Sequence, residues 1–212
     1  MSSLIYNCSP TIATVASLTQ NICKHPGKEV KLAFMQILGT ADFTTSATAE
    51  TDIALQSVWT ARLALTTTSR IVITPELENF AIPATEARVV DTQSARRMGR
   101  LANGAPVSVP FRLDSITAAD IAEIRKMFAL SNRFGQPTKL AFMPMYENNM
   151  VRAKKSSTNY FGIPIYSAQI SDPIKSIEDD WDYATGSFML PYGWSVGTEL
   201  VDIAFSPFDL LQ

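Results

Sequence analysis

The chain has 212 residues, 46% of them hydrophobic and 18% charged, with a net charge of −2. That length can bury a full core without disulfide or metal staples, and near-neutrality argues against a surface that binds bare nucleic acid broadly. One histidine and two cysteines leave almost nothing for a His-ligated metal centre or a His-based catalytic apparatus, and no run approaches the ~20 apolar residues of a membrane span.

Residues 1–29 alternate small polar and single apolar side chains, broken by Pro10, Pro26 and Gly27. So few large side chains predict an arm that serves assembly rather than the core. The segment lacks the basic and apolar regions of a secretory signal, so Cys8 and Cys23 are expected as free thiols in a reducing cytoplasm. From Val30 to Leu38 the pattern predicts a strand. Leu32, Phe34 and Gln36 share one face, and Lys31, Ala33, Met35 and Ile37 the other, so neither face is a clean solvent face. Ala41 to Thr51 reads as a surface loop. Trp59, Ala61, Leu63 and Leu65 then fall at alternate positions, the spacing of a strand. Ser69–Thr74 is short and β-branched, and Pro75 stops it.

Alternation disappears from Thr85 to Ala105, which predicts a long irregular loop. It returns at Val107, with Val109, Phe111 and Leu113 inward and Ser108 and Arg112 outward. Pro110 marks an edge or a bulge in that strand. A helix is expected over about residues 117–131. Thr117 and Asp120 form a capping-box variant, acidic Asp120 and Glu123 precede basic Arg125 and Lys126, and Ala118, Ile121, Ile124 and Phe128 make one apolar stripe. Gly135 and Pro137 would end it. Strands follow over Lys139–Tyr146, Tyr160–Ile170, Gly186–Trp194 and Glu199–Phe205, with a turn at Glu147–Asn149 and an acidic loop before Gly186. Six to nine strands and one helix, without strand–helix alternation, exclude a doubly wound α/β fold. They predict a mainly β fold: an antiparallel β-sandwich or open barrel with one flanking α-helix, as a single domain over residues 30–212 behind the N-terminal arm.

Motifs of catalysis are missing: no G-x-S-x-G, no P-loop, no H-E-x-x-H, no C-x-x-C and no G-x-G-x-x-G. His25 beside Cys23 has no further ligands close by in sequence. The expectation is therefore no catalytic residue, no cofactor, no metal and no enzyme. Two charge clusters remain. Arg88, Arg96, Arg97 and Arg100 oppose only Asp91, giving +3 (four arginines less one aspartate), while Glu178, Asp179, Asp180 and Asp182 give −4. No aromatic residue interleaves the arginines, as stacking on single strands would need, and the acidic run has no EF-hand spacing. Docking of the arginine loop onto an acidic surface of an adjacent copy, with Glu178–Asp182 as its partner, is the expected use. A separate alternative is a ligand- or carbohydrate-binding β-sandwich, with Trp181, Tyr183, Tyr192 and Trp194 as an aromatic platform.

In its order of parts the chain resembles a bacteriophage tail-tube (major tail) protein. Strands come first, then the capped helix Thr117–Leu130, then more strands, with a long loop at Thr85–Ala105 and an extended N-terminus. The stretch from Arg70-Ile71-Val72-Ile73-Thr74-Pro75 through Ile82-Pro83 also resembles structural proteins encoded by phages of Bacteroidetes-type hosts. The resemblance implies hexameric rings of identical subunits, stacked by the long loop into a tube. DNA would pass through the lumen without sequence-specific binding, beside other virion proteins and with no membrane. It implies location in the virion after assembly in the host cytoplasm. A capsid decoration or head–tail connector protein is the alternative within the same class.

Overall fold

The computed structural model describes residues 27–37, 43–44, 52–78, 80–83, 89–90, 100–101, 106–130, 139–175 and 182–210. The strands are β1 (Glu29–Gln36), β2 (Phe43–Thr44), β3 (Ile71–Ile73), β4 (Leu77–Glu78), β5 (Val89–Val90), β6 (Arg100–Leu101) and β7 (Val107–Asp114), then β8 (Leu140–Tyr146), β9 (Met150–Ser156), β10 (Asn159–Phe161), β11 (Ile163–Ile170), β12 (Ile174–Lys175), β13 (Asp182–Leu190) and β14 (Thr198–Asp202). Among the described residues two α-helices, α1 (Gln56–Leu63) and α2 (Ala118–Phe128), interrupt them. Every strand pairing is antiparallel. The mainly antiparallel β class read from the sequence is the fold observed. The additional strands beyond the six to nine expected are mostly pieces of two or three residues, too short to leave a periodic signal.

The sheet folds over on itself. Its first part runs β3–β1–β8, and β8 continues into β9 through a turn in which Asn149 takes φ 57°. Strands β10 and β14 flank β9, and β2 pairs with β10. The second part is β11–β13–β7–β4, with β12 extending the line of β11 along β13. Strand β11 belongs to both. Ile163–Ile165 pair with β8, and Tyr166–Ile170 pair with β13. Between them the register slips and Ser167 takes φ 52°, the β-bulge by which a strand turns a corner.

Two apolar cores lie on either side of the first part. The first, between the two parts and under α2, holds Leu32, Phe34, Phe111, Phe128, Phe142 and Phe188; the second, on the far face, holds Ala33, Met35, Phe43, Trp59, Met143 and Phe205. Strand β1 therefore feeds both cores from alternate residues, and Val30 to Met35 are all buried. This is the strand without a solvent face that the sequence predicts, and its cause is a sheet covered on both sides.

Helix α2 forms as its sequence dictates. The Thr117 hydroxyl accepts from the Asp120 amide at 3.2 Å, and the Asp120 carboxylate accepts in return from the Thr117 amide at 3.2 Å. Ile121, Ile124 and Phe128 turn into the first core. The helix ends at Phe128, three residues before the expected boundary, and Gly135 and Pro137 lie outside the described residues. Arg70 reaches across to Glu123 at 2.8 Å and Arg125 to Asp172 at 2.7 Å, tying the polar side of the helix to both parts of the sheet.

Several readings are corrected. The Trp59 segment is a helix, not a strand. Leu55, Val58, Trp59 and Leu63 fall at i, i+3, i+4 and i+8 and meet the second core, while Ala61 and Leu65 are exposed. Trp59 is fully buried, stacks on Phe43 at 4.4 Å and donates its indole N–H to the Ile53 carbonyl at 2.8 Å. One large anchor outweighs an alternation carried by small or exposed side chains. Phe43 itself corrects the surface-loop reading of Ala41–Thr51, since it is buried in β2. The Thr85–Ala105 segment is not wholly irregular, because β5 and β6 pair Val89 with Leu101 and Val90 with Arg100. Glu199–Phe205 is strand only to Asp202. Ile203, Phe205 and Leu210 then lie against the second core. Likewise the strand read over Gly186–Trp194 begins earlier, at Asp182, and ends at Leu190, before the turns at residues 192–197. Pro110 is an edge residue as expected: β13 pairs along all of β7, but β4 reaches only Arg112 and Leu113.

Candidate functional site

The two charged segments are positioned by the second part of the sheet. Strands β4 and β7 pair directly, yet residues 79–106 lie between them, far more chain than a turn between paired strands needs. The ladder of β5 and β6 brings the two ends of residues 91–99 together within this excursion. Arg100 is in that ladder, while Arg88, Arg96 and Arg97 lie outside the described residues. The excursion re-enters the sheet at Val107, opposite Leu190.

The acidic segment joins the same sheet elsewhere. Residues 176–181 link β12 to β13, whose register sets Lys175 opposite Asp182 and Ile174 opposite Tyr183. Glu178, Asp179 and Asp180 lie outside the described residues. Asp182 is exposed and opens β13, which corrects its assignment to a loop. Val107 pairs with one end of β13 and Asp182 forms the other. At about 3.3 Å per residue the strand separates these two anchor points by roughly 27 Å. The excursion also has a second anchor, Glu78, which pairs with Arg112 at the level of Thr185, so it spans β13 from Thr185 to Leu190, whereas the acidic link enters at Asp182.

The described members of the aromatic platform, Tyr183, Tyr192 and Trp194, lie at opposite ends of β13. Trp181 lies outside the described residues, Tyr183 is the second residue of β13, and Tyr192 lies beyond its far end with 61% of its surface exposed. Trp194 packs against the first core. Arg112 stacks its guanidinium 4.2 Å from the Tyr183 ring centre and pairs with Asp114 at 2.6 Å.

Buried polar groups escaped the sequence reading. Lys31 is buried and its Nζ donates to the Leu210 carbonyl at 3.0 Å, which fastens the C-terminal segment over the second core. Burial pushes its pKa down, against the pull of Glu76 and Asp209. Arg152 is buried and donates to the Tyr146 hydroxyl at 3.0 Å. Burial pushes the Tyr146 phenol up to about 12 and raises Glu29, with Arg152 opposing both shifts. A charged residue at an alternating position of a strand with no solvent face was the one available signal, and it applied to Lys31 alone.

A further group converges on the outer face of the second part. Gln169, Ser171, Thr185 and Ser187, with Ile170 and Gly186, line an open depression of about 330 Å³. Spacing could not reveal it, because it depends on the bulge in β11. Among the described residues no three His, Cys, Asp or Glu side chains gather as a metal would need, and no helix is long and apolar enough to cross a membrane. Cys8, Cys23 and His25 lie outside those residues. No protein-family model, curated protein or solved structure matches the chain.

Proposed function

We propose that the protein is a structural subunit of a phage virion, a tail-tube protein that assembles with copies of itself into stacked rings of six around a DNA-conducting lumen. The reading is carried by two charged segments that join one sheet at different points, the acidic link at Asp182 and the return of the arginine excursion at Val107 opposite Leu190. A head-to-tail stack needs two different surfaces on each copy, facing opposite ways. An arginine-bearing excursion and an acidic link that join the sheet at separate points offer two different surfaces. The β fold with a helix on its flank, in the order expected of such subunits, adds support. So does the sheet buried on both faces, since a stacked tube requires a rigid building block.

Arginine binds carboxylates in a directional, bidentate way. Each exposed pair contributes only ~0–1 kcal/mol, so the charges would set register and steer encounter while repetition around the ring supplies the rest. The role requires no catalytic residue, cofactor or membrane. DNA would meet a subunit of net charge −2, which suits passage better than capture.

Sedimentation velocity checks the docking. The wild-type chain is expected to sediment as large assemblies. Reversing Arg96→Glu and Arg97→Glu should leave a folded monomer, and adding Asp179→Lys and Asp180→Lys should partly restore assembly. Normal assembly of the arginine reversals would remove the loop from the contact. Failure of the second pair to rescue would point to a different acidic partner.

A further inference from the structure

The depression on the outer face owes its chemistry to a change of phase in β11. Ile163 and Ile165 point into the first core, and strict alternation would send Ser167, Gln169 and Ser171 the same way. The bulge at Ser167 inserts a residue, so Ala168 and Ile170 turn inward instead. Gln169 then stands opposite Ser187 on the solvent face and donates to its hydroxyl at 3.1 Å. The Ser171 hydroxyl accepts from the Thr185 amide at 3.1 Å, and the Thr185 carbonyl accepts from the Ser171 amide at 2.8 Å.

The polar side chains lining the 330 Å³ space are an amide and three hydroxyls, all uncharged. The cations beside it, Arg112 opposite Thr185 and Arg125 on the Ile170 carbonyl, are already held, the first by Asp114 and Tyr183 and the second by Asp172. An ionic ligand would find no free counter-charge there. Each hydroxyl can both donate and accept, and the Gln169 amide offers both functions. Along the face, two tyrosines bound this row: Tyr183 precedes Thr185 on β13, and Tyr166 stands opposite Met189 at the other end. The volume is at the lower end of that for small-ligand sites.

We infer that this depression binds a neutral saccharide, with Gln169, Ser171, Thr185 and Ser187 bonding sugar hydroxyls and the flanking tyrosines meeting its C–H faces. A ligand whose surface is uncharged and dense in paired donors and acceptors is the one this lining fits. The site does not depend on self-assembly, and of the aromatic set Trp181, Tyr183, Tyr192 and Trp194 it uses Tyr183 alone.

Amide-resolved NMR titration of the full chain tests it with linear trisaccharides of glucose, mannose and N-acetylglucosamine, and with trigalacturonate as the charged control. At least one neutral probe should shift the amides of residues 169–171 and 185–187, and trigalacturonate should not. Ser187→Trp, which fills the space, should weaken binding by about tenfold or more, and Thr185→Val, which keeps the shape but loses the hydroxyl, should weaken it several-fold. If Ser187→Trp does not fold, Thr185→Val decides. The proposal is overturned if no neutral probe shifts these amides, if the charged probe binds as well, or if neither variant alters binding. Variants that abolish assembly in a protein no saccharide shifts would make the face a contact between copies and overturn it too.

Discussion

Replacing Phe128 by alanine lowers the free energy of unfolding by about 3–5 kcal/mol, the range for removing a large buried aromatic. Phe128 is 3% exposed, and its ring meets Phe34 edge-on at 5.0 Å and Phe111 at 6.4 Å. These rings belong to a cluster with Phe142 and Phe188 that joins α2 to both parts of the sheet. The residue is the last of the helix, so the backbone loses little and the cost is almost all cavity. Urea unfolding reads it directly. A loss under about 1 kcal/mol would mean the site collapses without penalty and that α2 does not lock the two parts together.

Gly186→Ala should destabilise by about 1–3 kcal/mol, the cost of overpacking a filled core. Gly186 lies opposite Phe111 across β13 and β7, and a Cβ there would overlap the far edge of that ring. The ring has little room to withdraw, with Phe34 at 6.5 Å, Phe128 at 6.4 Å and Phe188 at 6.0 Å. Replacing glycine by alanine would otherwise stabilise by about 0.4–1 kcal/mol through the unfolded chain. Overlap exceeds that gain, so the net sign is negative. A second variant, Gly186→Ala with Phe111→Leu, should cost less than the sum of the two single changes. A neutral or stabilising Gly186→Ala would show that the ring moves freely.

Local signals carried much of the fold. The capping pair Thr117–Asp120 and the stripe to Phe128 lie within a few turns of chain, and so does the alternation of Val107–Leu113. Both elements were readable for that reason. The double-sided burial of β1 was readable because Leu32 and Phe34 alternate with Ala33 and Met35. Trp59 was misread because a strand's spacing and a helix's both fit so short a run, and only its stacking on Phe43 decides between them. The depression was not readable at all, since Gln169 reaches the solvent face only through the bulge. Lys31 meets Leu210 across almost the whole chain, a contact no window of sequence contains. The charged segments were visible as composition, but the points at which they join the sheet depend on strand pairing.

Negative-stain microscopy of the purified wild-type chain tests self-assembly most directly. Rings of six subunits stacked into tubes are the expected result. Single unstacked rings would instead fit a connector. A field of separate monomers at every concentration examined, with the chain folded, would contradict the self-assembly account.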